Sequence, residues 1–284
     1  MNPISNAWAG LIDVTYYCGR KCVYCTRNDR HMGKKRYHMG LDQFHLALDS
    51  YDGWTKPIGI IGGDPLLHPQ LDRLCDIMSR HPHEYMLFTS INPQTSKHKD
   101  ILGFIFDLVH YHPHTDDQES QFTHQPLTIA IKDAVPDPNL RSLLINDCWL
   151  QRRWCPTITT DGAFFCETGA SIAKLMGIKG WAVVPRWWKR NPDDFGYQKE
   201  ICQMCGMAIP MQRQLMANHV EQISPSFLKM LQDHDLPVGP YELFDQEITV
   251  DEMKAALPTW TPGIYKTEQL QETFEWSTLD WGKL

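Results

Sequence analysis

Cys18, Cys22 and Cys25 lie within Tyr17-Cys-Gly-Arg-Lys-Cys-Val-Tyr-Cys-Thr26, a C-x3-C-x2-C run. Three thiolates on one short loop can hold three irons of a 4Fe–4S cube and leave the fourth iron without a protein ligand. Structural zinc takes C-x2-C pairs or histidines in closed sets of four. The odd triplet therefore suits a cube with an open corner. Its spacings are too cramped for a disulfide framework.

Five more cysteines follow at 148, 155, 166, 202 and 205, and Cys75 stands apart from both groups. The stretch from Cys155 to Cys166 predicts a β-hairpin turning at Asp161-Gly162, which would set Cys155 opposite Cys166. Cys202 and Cys205 form a C-x2-C pair. Together these thiols can close a four-thiolate site for a second cube, although zinc also takes such a sphere. Cys75 falls on the apolar stripe of a predicted helix and reads as a buried small hydrophobe.

The surrounding pattern alternates strands and helices. Leu11 to Tyr17 reads as a strand leading into the triplet, and Leu41, Phe44 and Leu48 mark a helix. Lys56 to Ile61 is a strand ending in Gly62-Gly63-Asp64-Pro65, followed by a helix bearing Leu71, Leu74, Cys75 and Met78. Further strands are expected at Tyr85–Thr89, Phe104–His110 and Leu127–Ile131, with helices near 96–102, 138–147 and 170–176. Such alternation predicts parallel strands with reactive groups at their C-terminal ends. The triplet, Gly62-Gly63, Ser90 with Asn92, and the histidines near 110–114 all fall there.

In these motifs the chain resembles the radical S-adenosylmethionine (radical SAM) superfamily. The resemblance implies a partial (β/α)6 TIM-like barrel over residues 1–147. The open iron would chelate SAM, and an electron would cleave it to methionine and a 5′-deoxyadenosyl radical. Gly62, Gly63 and Asp64 resemble the family's G-G-E-P motif, with Asp for Glu, and would serve the amino group of SAM. Tyr24 matches an aromatic beside adenine, and Ser90 and Asn92 can bond the ribose or carboxylate. Residues 148–210 resemble a Twitch/SPASM auxiliary-cluster domain, a β-hairpin plus helix. Its ligands would be Cys166, Cys202 and Cys205 with either Cys155 or Cys148, the latter giving the longer interval that the family pattern expects. Residues 211–284 would pack back on the barrel.

His112 and His114 are candidate general bases for removing a hydroxyl proton from a substrate radical. An auxiliary cluster could then accept the electron. In layout the chain resembles Twitch-bearing aminocyclitol dehydrogenases such as that of butirosin biosynthesis. This implies natural-product biosynthesis: oxidation of a carbinol in a small polyol, aminocyclitol or sugar-like substrate, with flavodoxin or ferredoxin as reductant. A radical epimerase or peptide-modifying enzyme is the alternative within this chemistry. A zinc-ribbon binding protein is the alternative outside it. Trp181, Trp187 and Trp188, interleaved with Arg186, Lys189 and Arg190, read as bracing for a small metal domain rather than as a stacking surface.

Composition fits a globular chain of 284 residues, with 42% hydrophobic and 21% charged residues. No stretch reaches the apolar length of a membrane span. The first eight residues lack signal-peptide character, so a reducing cytoplasm is the expected location. The net charge of −7 is concentrated after residue 220, which disfavours nucleic acid as a partner.

Overall fold

Short apolar runs and three-to-four-residue stripes alternate through the first half of the chain, and most become the element their period predicts. The computed structural model describes residues 1–111, 123–150, 156–212, 214–215 and 220–257. β1 (Gly10–Thr15), β2 (Ile58–Gly62), β3 (Tyr85–Thr89) and β4 (Leu108–Tyr111) run parallel as successive neighbours. Between them cross α1 (Leu41–Ser50), α2 (Leu71–Met78) and α3 (Lys99–Ile105). Leu71, Leu74, Cys75 and Met78 are all buried on α2, as their spacing requires. They join Leu11, Ile12, Ile58, Ile60 and Leu87 of the strands in one core.

The other edge of β1 is taken by the predicted hairpin. β6 (Thr157–Thr159) pairs parallel with β1 and antiparallel with β7 (Gly162–Phe164). The sheet order is therefore β4-β3-β2-β1-β6-β7. Gly162 turns the hairpin at φ +123°, and a Cβ there would lie 2.6 Å from the Trp181 carbonyl oxygen. β1 to β4 and the two strands of the hairpin thus share one sheet, in an α/β, partial TIM-like arrangement.

After β5 (Thr123–His124) come α4 (Ile131–Ala134) and α5 (Pro138–Asn146), the latter capped by the Asp137 carboxylate. α6 (Glu167–Met176) and α7 (Gln198–Gln203) follow the hairpin. The C-terminal region adds β8 (Gln214–Leu215), β9 (Glu221–Ile223), α8 (Pro225–Asp233), β10 (Tyr241–Leu243) and α9 (Val250–Ala256). β5 pairs with β8, and β9 with β10. Among the described residues no helix is long and apolar enough to cross a membrane.

Two expectations are corrected. Leu127–Ile131 is not a strand: the Leu127 carbonyl accepts from Gly206 N–H, Gln125 bonds the carbonyls of Gly206 and Ile209, and a turn leads into α4. An apolar run of five residues does not by itself distinguish strand from buried turn or helix. Phe104 and Ile105 belong to the end of α3, so β4 starts only at Leu108.

Candidate active site

The triplet leaves the C-terminal end of β1 as an irregular loop, with Cys18, Cys22 and Cys25 each partly exposed. Cys18 Sγ accepts from Arg20 N–H at 3.4 Å, and the Cys25 carbonyl accepts from Asn28 N–H at 2.7 Å. Burial pushes the Cys18 and Cys22 thiols up to about 12, and neighbouring cysteines add to the rise. The Cys25 thiol is raised too, first by burial. Thiols so placed need a cation to become thiolates, and iron supplies one. The donor set therefore fits a cube.

Gly62 and Gly63 hold the root of this loop. Gly63 N–H donates to Thr15 O at 2.6 Å, and Asp64 N–H to Tyr17 O at 2.8 Å. A Cβ on Gly62 would sit 2.2 Å from Thr15 O, and one on Gly63 2.4 Å from Tyr17 O. Only glycine allows this approach of two strand ends. The buried Asp64 carboxylate accepts from Leu66 N–H, Thr89 Oγ1, Ser90 N–H and Ser90 Oγ at 2.7–3.1 Å. It clamps the end of β2 to the end of β3, and the Ser90 hydroxyl is engaged in that clamp. Asn92 caps the next turn through Gln94 N–H.

Tyr24 sits in the left-handed region, at φ +53°, with its ring buried. Its hydroxyl accepts from Gln222 N–H at 2.8 Å, and its own N–H donates to Glu221 Oε1 at 2.8 Å. Burial first, then other groups including Glu221, lifts the Tyr24 hydroxyl to about 12. Glu221 Oε2 also lies 3.0 Å from His31 Nε2. The C-terminal extension is thereby built into the cysteine loop, through a carboxylate that no local pattern in the sequence marks.

A buried ionic group lies behind the triplet. Arg27 is 2% exposed and bonds Glu167, the residue after Cys166, at 2.5 Å, with Asp13 of β1 at 3.4 Å. Burial works against the Arg27 charge, but Glu167 and then Asp13 outweigh it and hold the guanidinium ionised. Burial also raises Asp13 to about 7, with Arg27 opposing. Around this group α6 docks on the loop: Asn28 donates to Ser171, Ser171 to Thr26 O, and Lys35 to the carbonyls of Lys174 and Leu175. Glu167 directly follows Cys166 and Arg27 comes two residues after Cys25, which is the only local signal they carry.

Downstream, Cys148, Cys166, Cys202 and Cys205 line one cavity, walled by Ile145, Leu150, Phe165 and Ile201. Burial drives Cys148 and Cys205 well up and Cys202 to about 12, with the neighbouring thiols adding. Gln198 Nε2 donates to Cys202 Sγ at 3.1 Å. Four convergent sulfurs fit a cube as a donor set. Cys155, the other candidate, lies outside the described residues, as do His112 and His114. Tyr111, just before them, ends β4 opposite Thr89.

Trp187 and Trp188 are buried, with Trp187 edge-on to Tyr51 and Trp188 edge-on to Trp54. Trp181 packs on Phe195. These are bracing contacts, and Phe195 in turn packs on Phe165 of the cavity wall.

No curated protein matches the chain. Among solved structures, BtrN in complex with AdoMet and 2-DOIA is similar at a TM-score of 0.42 and 12% identity, over 71% of this chain and 88% of that one. Residues 12–132 match the family model of the radical SAM superfamily. This stretch contains the thiol triplet on its loop, the Gly62–Pro65 turn that grips the loop's root, and the parallel strands β1 (from Ile12) to β4. Residues 12–132 of this chain thus match the radical SAM superfamily model, and the loop of Cys18, Cys22 and Cys25 lies within the matched stretch.

Proposed function

We propose that the chain is a radical SAM oxidoreductase, in which the cavity cysteines hold a second 4Fe–4S cluster that accepts the substrate's electron. The observation that carries this reading is the convergence of Cys148, Cys166, Cys202 and Cys205 on one cavity, in a chain whose residues 12–132 match the radical SAM family model. The place of Cys148 in that cavity favours it as the fourth ligand.

A cube on Cys18, Cys22 and Cys25 supplies one electron to cleave SAM to methionine and a 5′-deoxyadenosyl radical. The protein's own residues do the rest. Gly62 and Gly63 expose backbone at the strand end for the amino group of SAM, Ser90 and Asn92 flank its path, and Tyr24 fixes the loop beside Cys25. Hydrogen abstraction from a carbinol carbon leaves a carbon radical. His112 or His114 would take the hydroxyl proton, and a cluster held by Cys148, Cys166, Cys202 and Cys205 would supply the acceptor for the remaining electron, so that the substrate is left as a carbonyl. The substrate class is a small polyol, aminocyclitol or sugar-like compound, with flavodoxin or ferredoxin as reductant.

The test is anaerobic turnover with candidate polyols deuterated at each carbinol carbon. The reading expects deuterium in 5′-deoxyadenosine and one carbonyl formed per SAM consumed. A Cys202→Ala variant should still cleave SAM but form little carbonyl product. Deuterium transfer with no net oxidation would refute the dehydrogenase assignment.

A further inference from the structure

His45 and Asp49 stand one helical turn apart on α1, on the same face. His81 follows the end of α2. Asp49 Oδ1 lies 3.8 Å from His45 Nε2 and 4.0 Å from His81 Nε2. The two imidazoles are 5.3 Å apart at 84°. One ligand atom from each of the three lies within 4.8 Å of the others.

These gaps are too long for hydrogen bonds. They are close to the ligand-to-ligand edge of a metal sphere, about 3.3 Å for a tetrahedron with bonds near 2.0 Å. Shared protons therefore do not account for the convergence, whereas an ion fits after side-chain movements of roughly 0.5–1.5 Å. Two imidazoles and a carboxylate are the donor set of a borderline divalent cation. His45 and Asp49 are more than half exposed, so an ion can enter and keep water in its remaining positions. Both helices end here and lead into the N-terminal ends of β2 and β3, whereas the cysteine loop leaves a C-terminal strand end. The site is therefore remote from the radical centre.

We propose that His45, Asp49 and His81 bind one divalent ion of the zinc class, which pins α1 to α2. The probe is Co2+, titrated anaerobically into protein whose iron–sulfur sites are loaded. One equivalent should bind with d–d absorption and no sulfur-to-cobalt charge transfer, and Zn2+ should displace it. Zn2+ should also raise the melting temperature. Both effects should vanish in His45→Ala and in Asp49→Asn, with 5′-deoxyadenosine formation unchanged. These positions are exposed, and equal melting temperatures without metal would verify the variants' fold. Thiolate charge transfer, undiminished binding in both variants, or no binding at all would each overturn the site.

Discussion

Replacing Arg27 with Met should destabilise the protein by about 3–5 kcal/mol, the cost of removing one partner from a buried ion pair. The magnitude follows from the surroundings. Arg27, Glu167 and Asp13 are 2%, 0% and 1% exposed, so water cannot take over the lost interaction. Asp13 is raised to about 7 and can shed its charge by taking up a proton. Glu167 is left as a buried carboxylate with no cation against it. At about 2–4 °C per kcal/mol for a chain somewhat shorter than this one, the melting temperature should fall by roughly 6–20 °C. The double variant Arg27→Met with Glu167→Leu should recover most of that loss, because an apolar pair of similar size leaves no orphaned charge. Anaerobic thermal unfolding followed by circular dichroism and tryptophan fluorescence reads both. A single variant within about 1 kcal/mol of the parent would refute the assigned role. So would a double variant no better than the single one.

Asp13 also makes stability depend on pH. Its folded value of about 7 exceeds the ordinary 3.8, so its contribution is complete below pH 4 and lost as pH rises through 7, at most about 4 kcal/mol. Denaturant midpoints should therefore fall between pH 5.5 and 7.5, and Asp13→Asn should flatten that slope. Gly63→Ala should lower SAM cleavage and iron content together, because its Cβ would meet Tyr17 O at 2.4 Å and shift the root of the cysteine loop. Glu221→Ala should reduce iron at the first site while sparing the second, since it frees the Tyr24 N–H and His31; site-resolved EPR would check this.

Local chemistry made much of the fold legible in the sequence. The stripe of α2, the Asp161-Gly162 turn and the parallel strands follow from periods and turn residues within a few positions of each other. The pairing of β6 with β1 was not legible, because 146 positions separate the Leu11 and Thr157 that pair, and no periodicity encodes a partner. The same distance hid the Arg27–Glu167 pair and the grip of Glu221 on Tyr24. Gly62-Gly63 was legible as a turn at the end of a strand. That the two glycines also accommodate the backbone of residues 15–18 needed coordinates. The cysteines were readable as two sets from their spacing, whereas the place of Cys148 in the cavity depended on how the chain after α5 enters the hairpin.

A second cluster that assembles independently of the first is the central claim to test. The direct measurement is Mössbauer spectroscopy with iron and zinc analysis of anaerobically purified protein carrying Cys18→Ala, Cys22→Ala and Cys25→Ala together. About four irons per chain should remain, as a single diamagnetic 4Fe–4S species, against about eight in the parent. A triple variant with no iron, or with one zinc per chain in its place, would contradict the account.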